Sequence, residues 1–188
     1  MSTSYMFLAE GFEETEAIAS LDLILRGGID IKTVYLGPSS LVRGSHGIGI
    51  SADISLSDFL SLNVNPSSDA VLVFPGGMPG STNLRANQEL MSFLVDYYSR
   101  GGKVAAICAA PSVVLSVLPL NGVKMTCYDG FEAGIIEKGG LYTGGGVEVD
   151  RNIITAKGLG QAVDFALAIV ADLVSDSKSL EVSKSIML

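Results

Sequence analysis

The sequence predicts an α/β fold in three layers, a mostly parallel sheet with helices on both faces. Three observations carry that expectation. Short runs such as Tyr5–Leu8, Asp69–Phe74 and Lys103–Ile107 are almost wholly apolar, as strands covered on both faces are. Longer segments, among them Glu13–Arg26 and Gln161–Val174, carry apolar residues at helical spacing. The two kinds alternate along the chain, which is the pattern of βα units.

In order, Tyr5–Leu8 is a strand and Ala9–Phe12 turns on Gly11. Glu13–Arg26 is a helix on the recurrence of Ala17, Ile18, Leu21, Ile24 and Leu25, stopped by Gly27–Gly28. Ile31–Leu36 is β-branched and strand-like. Val42–Leu56 reads as a glycine-bearing hairpin with short strands around Ile48–Ile50 and Asp53–Leu56. Asp69–Phe74 runs as a buried strand into Pro75-Gly76-Gly77. Asn87–Arg100 is a helix with Leu90, Met91, Leu94, Tyr97 and Tyr98 on one side. Lys103–Ile107 is a strand ending at Cys108, and Ala110–Leu118 is a helix whose Pro111 suits a first turn. Val123–Cys127 is a strand and Phe131–Lys138 a short helix. Gly144–Gly146 is a loop before two paired strands, Val147–Asp150 and Asn152–Ala156. Gln161–Val174 is the last long helix, and Ser175–Leu188 is a serine- and charge-rich tail with a short amphipathic helix.

A chain of 188 residues fits one domain, 1–188, with a sizeable core. Apolar residues at 48 % exclude a disordered chain. A net charge of −8 argues against tracking a nucleic-acid backbone and against an anionic membrane surface. No run approaches the roughly 20 apolar residues of a membrane span, and Met1–Glu10 has no basic leader region. Two cysteines, Cys108 and Cys127, build neither a disulfide framework nor a four-ligand zinc site, so no metal and no cofactor is expected and the cytoplasm is the expected compartment. His46 is the single histidine, which excludes every site needing two imidazoles.

In folds of this kind, sites sit at the carboxyl ends of strands. Three segments stand there: Gly11–Glu16, Pro75–Met78 and Cys108–Pro111. Cys108 lies where a strand runs into a helix with only small residues at the join, the setting of a nucleophile elbow. Unpaired amides at a helix start favour the thiolate, and the thiolate is the nucleophile. The alternative is a buried structural cysteine. Gly76 and Gly77 suit an oxyanion or carboxylate clamp beside Cys108, or a plain turn. Glu13, Glu14 and Glu16 complement the helix dipole. A helical wheel puts Glu14 on the apolar side and Glu16 about 130° from it, which nominates Glu14 as the buried acid. Gly158-Leu159-Gly160 lacks a third glycine and is no dinucleotide fingerprint; Gly144-Gly145-Gly146 lacks the lysine of a P-loop. Cys127 reads as core, Tyr128 as a residue able to reach a polar pocket, and His46 as an exposed loop residue.

Taken together, Gly11–Glu16 (Gly-Phe-Glu-Glu-Thr-Glu), Pro75–Gly77, Ala106–Pro111 and Gly-Leu-Gly before Asp164–Leu167 resemble the DJ-1/ThiJ/PfpI superfamily from Met6 to Leu173. The resemblance implies a flavodoxin-like, doubly wound domain that forms a homodimer. It makes Cys108 the reactive cysteine and Glu16, rather than Glu14, its acid partner. Gly76, Gly77 and Ala109 become the anion-binding amides, and Arg26 a residue near the dimer interface. Peptidase branches carry histidine directly after the cysteine, where this chain has Ala109. Other branches carry it where Tyr128 stands, and Cys127–Tyr128 resembles the ThiJ-like branch. His46 falls near a loop by the dimer interface and is placed to reach a site across it.

Four functions follow as expectations. The first is a cofactor-independent enzyme in which Cys108 attacks a small reactive carbonyl such as a 2-oxoaldehyde, in glyoxalase- or deglycase-like chemistry. The second is a stress sensor through oxidation of Cys108. The third is a non-catalytic, chaperone-like dimer. The fourth, a PfpI-type cysteine peptidase, lacks its adjacent histidine.

Overall fold

The computed structural model describes residues 2–188; Met1, part of the leader-free start expected from the sequence, lies outside them. A seven-stranded sheet is built from β1 (Ser4–Leu8), β2 (Ile31–Tyr35), β5 (Ile54–Ser55), β6 (Val71–Phe74), β7 (Lys103–Ile107), β10 (Val147–Asp150) and β11 (Ile153–Ala156). Its order is β10-β11-β7-β6-β1-β2-β5, and every pair is parallel except β10 with β11. The remaining strands form two small ribbons, β3 (Leu41–Arg43) with β4 (Gly49–Ser51) and β8 (Lys124–Met125) with β9 (Leu141–Tyr142). The expected doubly wound α/β architecture is what the chain adopts.

Strand alternation divides the core in two. Tyr5, Phe7, Leu72, Phe74, Val104 and Ala106 face one layer. It is covered by α2 (Leu56–Ser61), α3 (Gly80–Ala86), α4 (Gln88–Ser99), α5 (Ala110–Val113) and α6 (Ala133–Glu137). Phe7 stacks on Phe74 at 5.1 Å and meets Phe59 edge-on at 5.0 Å. Met6, Leu8, Val71, Val73, Ala105 and Ile107 face the other layer. There α1 (Glu14–Arg26) packs on α7 (Ala162–Leu173), and α8 (Asp176–Ser185) packs on α7 through buried Val182. Among the described residues no helix is long and apolar enough to cross a membrane.

The structure departs from the sequence expectation in four places. The two strands expected to form the 42–56 hairpin do not pair. Val42 pairs with Ile50, while Ile54–Ser55 joins the main sheet beside β2. Asp53 decides this, since its carboxylate accepts the Thr33 N–H and hydroxyl at 2.7 Å each and pins the segment to β2. Val123–Cys127 stays outside the main sheet; only Lys124–Met125 is extended, paired with Leu141–Tyr142. The Ala110–Leu118 helix breaks after one turn into a 3-10 segment, Leu115–Val117, where Val113 and Val114 crowd the backbone. Helices α2 and α3 went unpredicted: α2 is one turn and a half started by Ser55, and α3 reads Gly-Ser-Thr-Asn-Leu-Arg-Ala, a run of weak helix formers.

Candidate active site

The adjacent strands β1, β6 and β7 end side by side, and their following turns converge. After β7 the chain turns at Cys108, which holds a left-handed φ of +65° before α5 begins. Such a conformation costs about 1–3 kcal/mol in a non-glycine residue, so the surroundings must hold it. They do so from both sides: the Cys108 N–H donates to the Ala156 carbonyl at 2.9 Å, and its carbonyl accepts the Tyr128 N–H at 2.8 Å.

The turn after β6 supplies the floor. A side chain at Gly76 would collide with Cys108 Cβ and stand 2.6 Å from Glu16 Oε2. Gly77 takes φ +92° and leaves no room for a side chain against the Phe12–Glu13 backbone. The turn after β1 brings the acid. Gly11, at φ +84°, packs on Pro79, and Glu13 starts α1 by accepting the Glu16 N–H at 2.6 Å. The Glu13 N–H donates to the Gly76 carbonyl at 2.9 Å, tying the two turns together.

Glu16 Oε2 accepts the Gly76 N–H at 3.0 Å, and the same carboxyl meets the Cys108 thiol and the Leu159 N–H. Burial, then the charge of Glu13, pushes Glu16 up to about 7. Burial, then the Glu16 carboxylate, pushes the Cys108 thiol up to about 12, against the Gly77 and Ala109 N–H groups that favour the thiolate. This differs from the readily ionised thiol expected from the helix start, because α5 is only four residues long and partial burial and the Glu16 carboxylate outweigh its amides. The Glu16 carboxylate disfavours the thiolate, while the Cys108 thiol, donating to Glu16, favours the carboxylate. The Gly76 amide, expected to hold an oxyanion, is committed to Glu16; the free donors beside Sγ are Gly77 and Ala109.

A well of about 160 Å³ opens onto Cys108, walled by Gly77, Met78, Ala109, Tyr128 and Phe131. Tyr128 walls the well, about half-exposed and edge-on to Phe131 at 6.2 Å. Met78 belongs to the expected Pro75–Met78 segment, but Phe131 and the Leu159 amide went unnoticed in the sequence. A backbone donor leaves no trace in residue identity, and the Phe131 side chain looked like any other apolar one.

Glu14 is also buried, but against another partner. Its carboxylate accepts the His46 N–H at 2.7 Å, His46 Nδ1 at 2.9 Å, and the Ser45 hydroxyl and Ile48 N–H at 3.3 Å each. Burial alone would raise Glu14, but these bonds hold it down at about 2, and Glu14 in turn raises His46. The helical wheel chose one acid where the fold buries two. In the first turn of α1 the surroundings are loops, which offer polar partners on more than one side. Glu13, Glu14 and His46 place ligand atoms within 4.8 Å of one another, yet the Glu14 oxygens are already occupied by the 45–48 turn. Arg26 lies at the far end of α1, bonded to Asp22 at 2.7 Å. Cys127 is buried, and burial, then Glu132 and Asp129, pushes its thiol up to about 12.

Comparison with known proteins bears on this arrangement. A model of the DJ-1/PfpI family matches residues 3–172. The chain is 31 % identical to the Drosophila melanogaster protein dj-1beta over 99 % of this chain and 97 % of that one. It is also 31 % identical to a Caenorhabditis elegans glutathione-independent glyoxalase, over 95 % of this chain and 92 % of the other. Among solved structures, a DJ-1 superfamily protein from Salmonella typhimurium superposes with a TM-score of 0.89 at 33 % identity, covering 100 % of this chain and 98 % of that chain. Drosophila DJ-1beta superposes at 0.88 with 32 % identity, covering 100 % and 99 %. With the family model spanning nearly the whole chain and both structures sharing its α/β, flavodoxin-type fold, this chain belongs to the DJ-1/PfpI family.

Proposed function

We propose that this protein is a cofactor-independent enzyme that converts 2-oxoaldehydes into 2-hydroxy acids, with Cys108 as nucleophile and Glu16 as acid and base. The observation that carries the reading is the Glu16 carboxyl fixed by the Gly76 N–H at 3.0 Å while it contacts the Cys108 thiol. Glu16 takes the thiol proton, and Sγ adds to the aldehyde carbon. The Gly77 and Ala109 amides steady the charge, and Glu16 returns the proton to give a hemithioacetal. Glu16 then removes the hydrogen from that carbon and the neighbouring carbon is reprotonated, leaving a thioester on Cys108 beside a new hydroxyl. Water cleaves the thioester, releasing the 2-hydroxy acid and the thiol. One carbon is oxidised and its neighbour reduced, so only water is consumed. Glu16, poised near neutrality, suits both directions of proton transfer. The glyoxalase name of a 31 % identical relative agrees with this chemistry.

The test is lactate formation from methylglyoxal by the unmodified chain, Cys108→Ser and Glu16→Gln. Turnover that survives Cys108→Ser removes the proposal. A second reading, oxidation of Cys108 to the sulfinate, draws on the same Gly77 and Ala109 amides and on protonated Glu16 as a donor. The peptidase reading has no support at the site, because Ala109 and Tyr128 stand where an imidazole would be needed. We further infer a homodimer through α1 and the β3–β4 ribbon, which leave Ile18, Leu25, Leu41 and Ile48 exposed. Two free thiols fit the reducing cytoplasm.

A further inference from the structure

The cavity that holds Cys108 is not the larger one on this face. Behind Tyr128 lies a groove of about 500 Å³, lined by Tyr128, Asp129, Lys157 and the Gly158–Gln161 turn. The well at Cys108, about 160 Å³, is smaller than the roughly 300–1,000 Å³ of ordinary ligand pockets. It has room for a reacting carbonyl and little else. Tyr128 is a wall of both spaces. The same turn that lines the groove reaches Glu16, whose carboxylate the Leu159 N–H favours.

The charges in the groove say what it holds. Lys157 Nζ lies 2.9 Å from Asp129 Oδ1, and the Tyr142 hydroxyl donates to that same oxygen at 3.2 Å. Asp129 Oδ2 and two ammonium N–H bonds are left over for a ligand. The side chains are 70 % exposed for Asp129 and 33 % for Lys157, so both are within reach. A balanced pair repels neither sign strongly and favours neither: a carboxylate meets Asp129, an ammonium meets Lys157. What it does match is a neutral group that both donates and accepts, and neighbouring hydroxyls do both.

We propose that the Lys157–Asp129 groove is a subsite for the hydroxylated tail of a sugar-derived 2-oxoaldehyde whose aldehyde carbon sits at Cys108. The assignment rests on the reading of Cys108 and Glu16 as a 2-oxoaldehyde site, and it names the substrate class of that site. The tail lies over the Tyr128 ring and exchanges hydrogen bonds with Asp129 Oδ2 and Lys157 Nζ.

Gly160 provides the discriminating variant. A Cβ built there meets nothing within 4 Å, and its backbone lies outside the left-handed region, so Gly160→Phe fills groove space without strain. The kcat/KM values for 3-deoxyglucosone and for methylglyoxal are compared in the unmodified chain, Gly160→Phe and Lys157→Met. The expected result is a loss of about tenfold for 3-deoxyglucosone in each variant, carried mostly by KM, with methylglyoxal kept within about twofold. Equal losses for both substrates, or none for either, overturn the subsite. Protection of Cys108 from iodoacetamide by each compound is measured in parallel and needs no turnover. Selective loss of protection by 3-deoxyglucosone in Gly160→Phe upholds the groove even if no product forms, in which case the catalytic reading alone fails. Unchanged protection removes the groove whatever the turnover.

Discussion

Glu16 reaches across sixty residues of sequence to accept the Gly76 N–H at 3.0 Å, and that one bond sets its carboxyl beside Cys108. The amide that a motif reading offers to the substrate is spent on orienting the acid. The donors that remain near sulfur, Gly77 and Ala109, come from two different turns. Neighbouring glycines thereby divide their amides, Gly76 to the Glu16 carboxyl and Gly77 to the Cys108 sulfur.

Replacing the proposed nucleophile separates chemistry from folding. Cys108→Ser is expected to lower 2-oxoaldehyde turnover by at least about a thousandfold. Its melting temperature should stay within a few degrees of the parent, because serine occupies the same strained turn with the same backbone bonds. Lactate assays alongside calorimetry check both halves.

Glu16 links activity to stability with a defined sign. Its pKa rises from 4.5 to about 7 on folding, through burial first and Glu13 second. The folded chain therefore binds more protons than the unfolded one in that window, and stability falls as pH climbs from about 4.5 to about 7. Glu16→Gln should flatten this slope and be more stable at pH 8 by on the order of 2 kcal/mol, while kcat drops about 10²–10⁴-fold. A denaturation series against pH that keeps its slope in the variant contradicts the assignment.

The 45–48 turn is held by a pair with opposite linkage. Glu14 is held at about 2, so its contribution is present above the ordinary 4.5 and is lost as pH falls through about 2. His46 is raised, so its share is complete below 6.5 and is lost as pH rises through its higher value. Glu14→Gln should cost about 1 kcal/mol at pH 6 by weakening four part-buried bonds. Hydrogen exchange at the Ile48 amide should quicken in that variant, and in the parent as pH passes the His46 titration.

Gly76→Ala tests the closeness of the floor. The added methyl group meets Cys108 Cβ and the Glu16 carboxylate, so one of them must shift. A loss of about 1–3 kcal/mol is expected from the overpacking, together with faster alkylation of Cys108 as the Glu16 carboxylate that holds its thiol up is displaced. Normal alkylation in a stable variant would show that the contact is not required.

The inferred dimer has a simple probe. Ile18 and Leu25 on α1 are 47 % and 50 % exposed, which is costly for apolar side chains unless covered. Ile18→Glu combined with Leu25→Glu should shift sedimentation from dimer to monomer without changing the circular dichroism of the fold. Sedimentation of the parent as a monomer would refute the interface outright.

Residue identity alone determined the buried strands and the long helices, because continuous apolar runs and helical spacing are local properties. Lys103–Ile107 matched its strand to the residue, and Glu13–Arg26 differed from α1 only by its capping Glu13. The small residues around Cys108 and Gly76 marked the two turns that meet, since close approach requires them. Tertiary structure alone decided the rest. The strand at Ile54–Ser55 went to β2 rather than to its neighbour in sequence because Asp53 found Thr33 across space. Glu14 and Glu16, two positions apart on one helix, were parted between His46 and Cys108 by loops arriving from distant points of the chain. The proton balance of Cys108 likewise came from burial and from Glu16, neither of which a local motif records. Periodicity reports which face a residue takes, but hydrogen-bond partners and the exclusion of water depend on what the folded chain brings to that face.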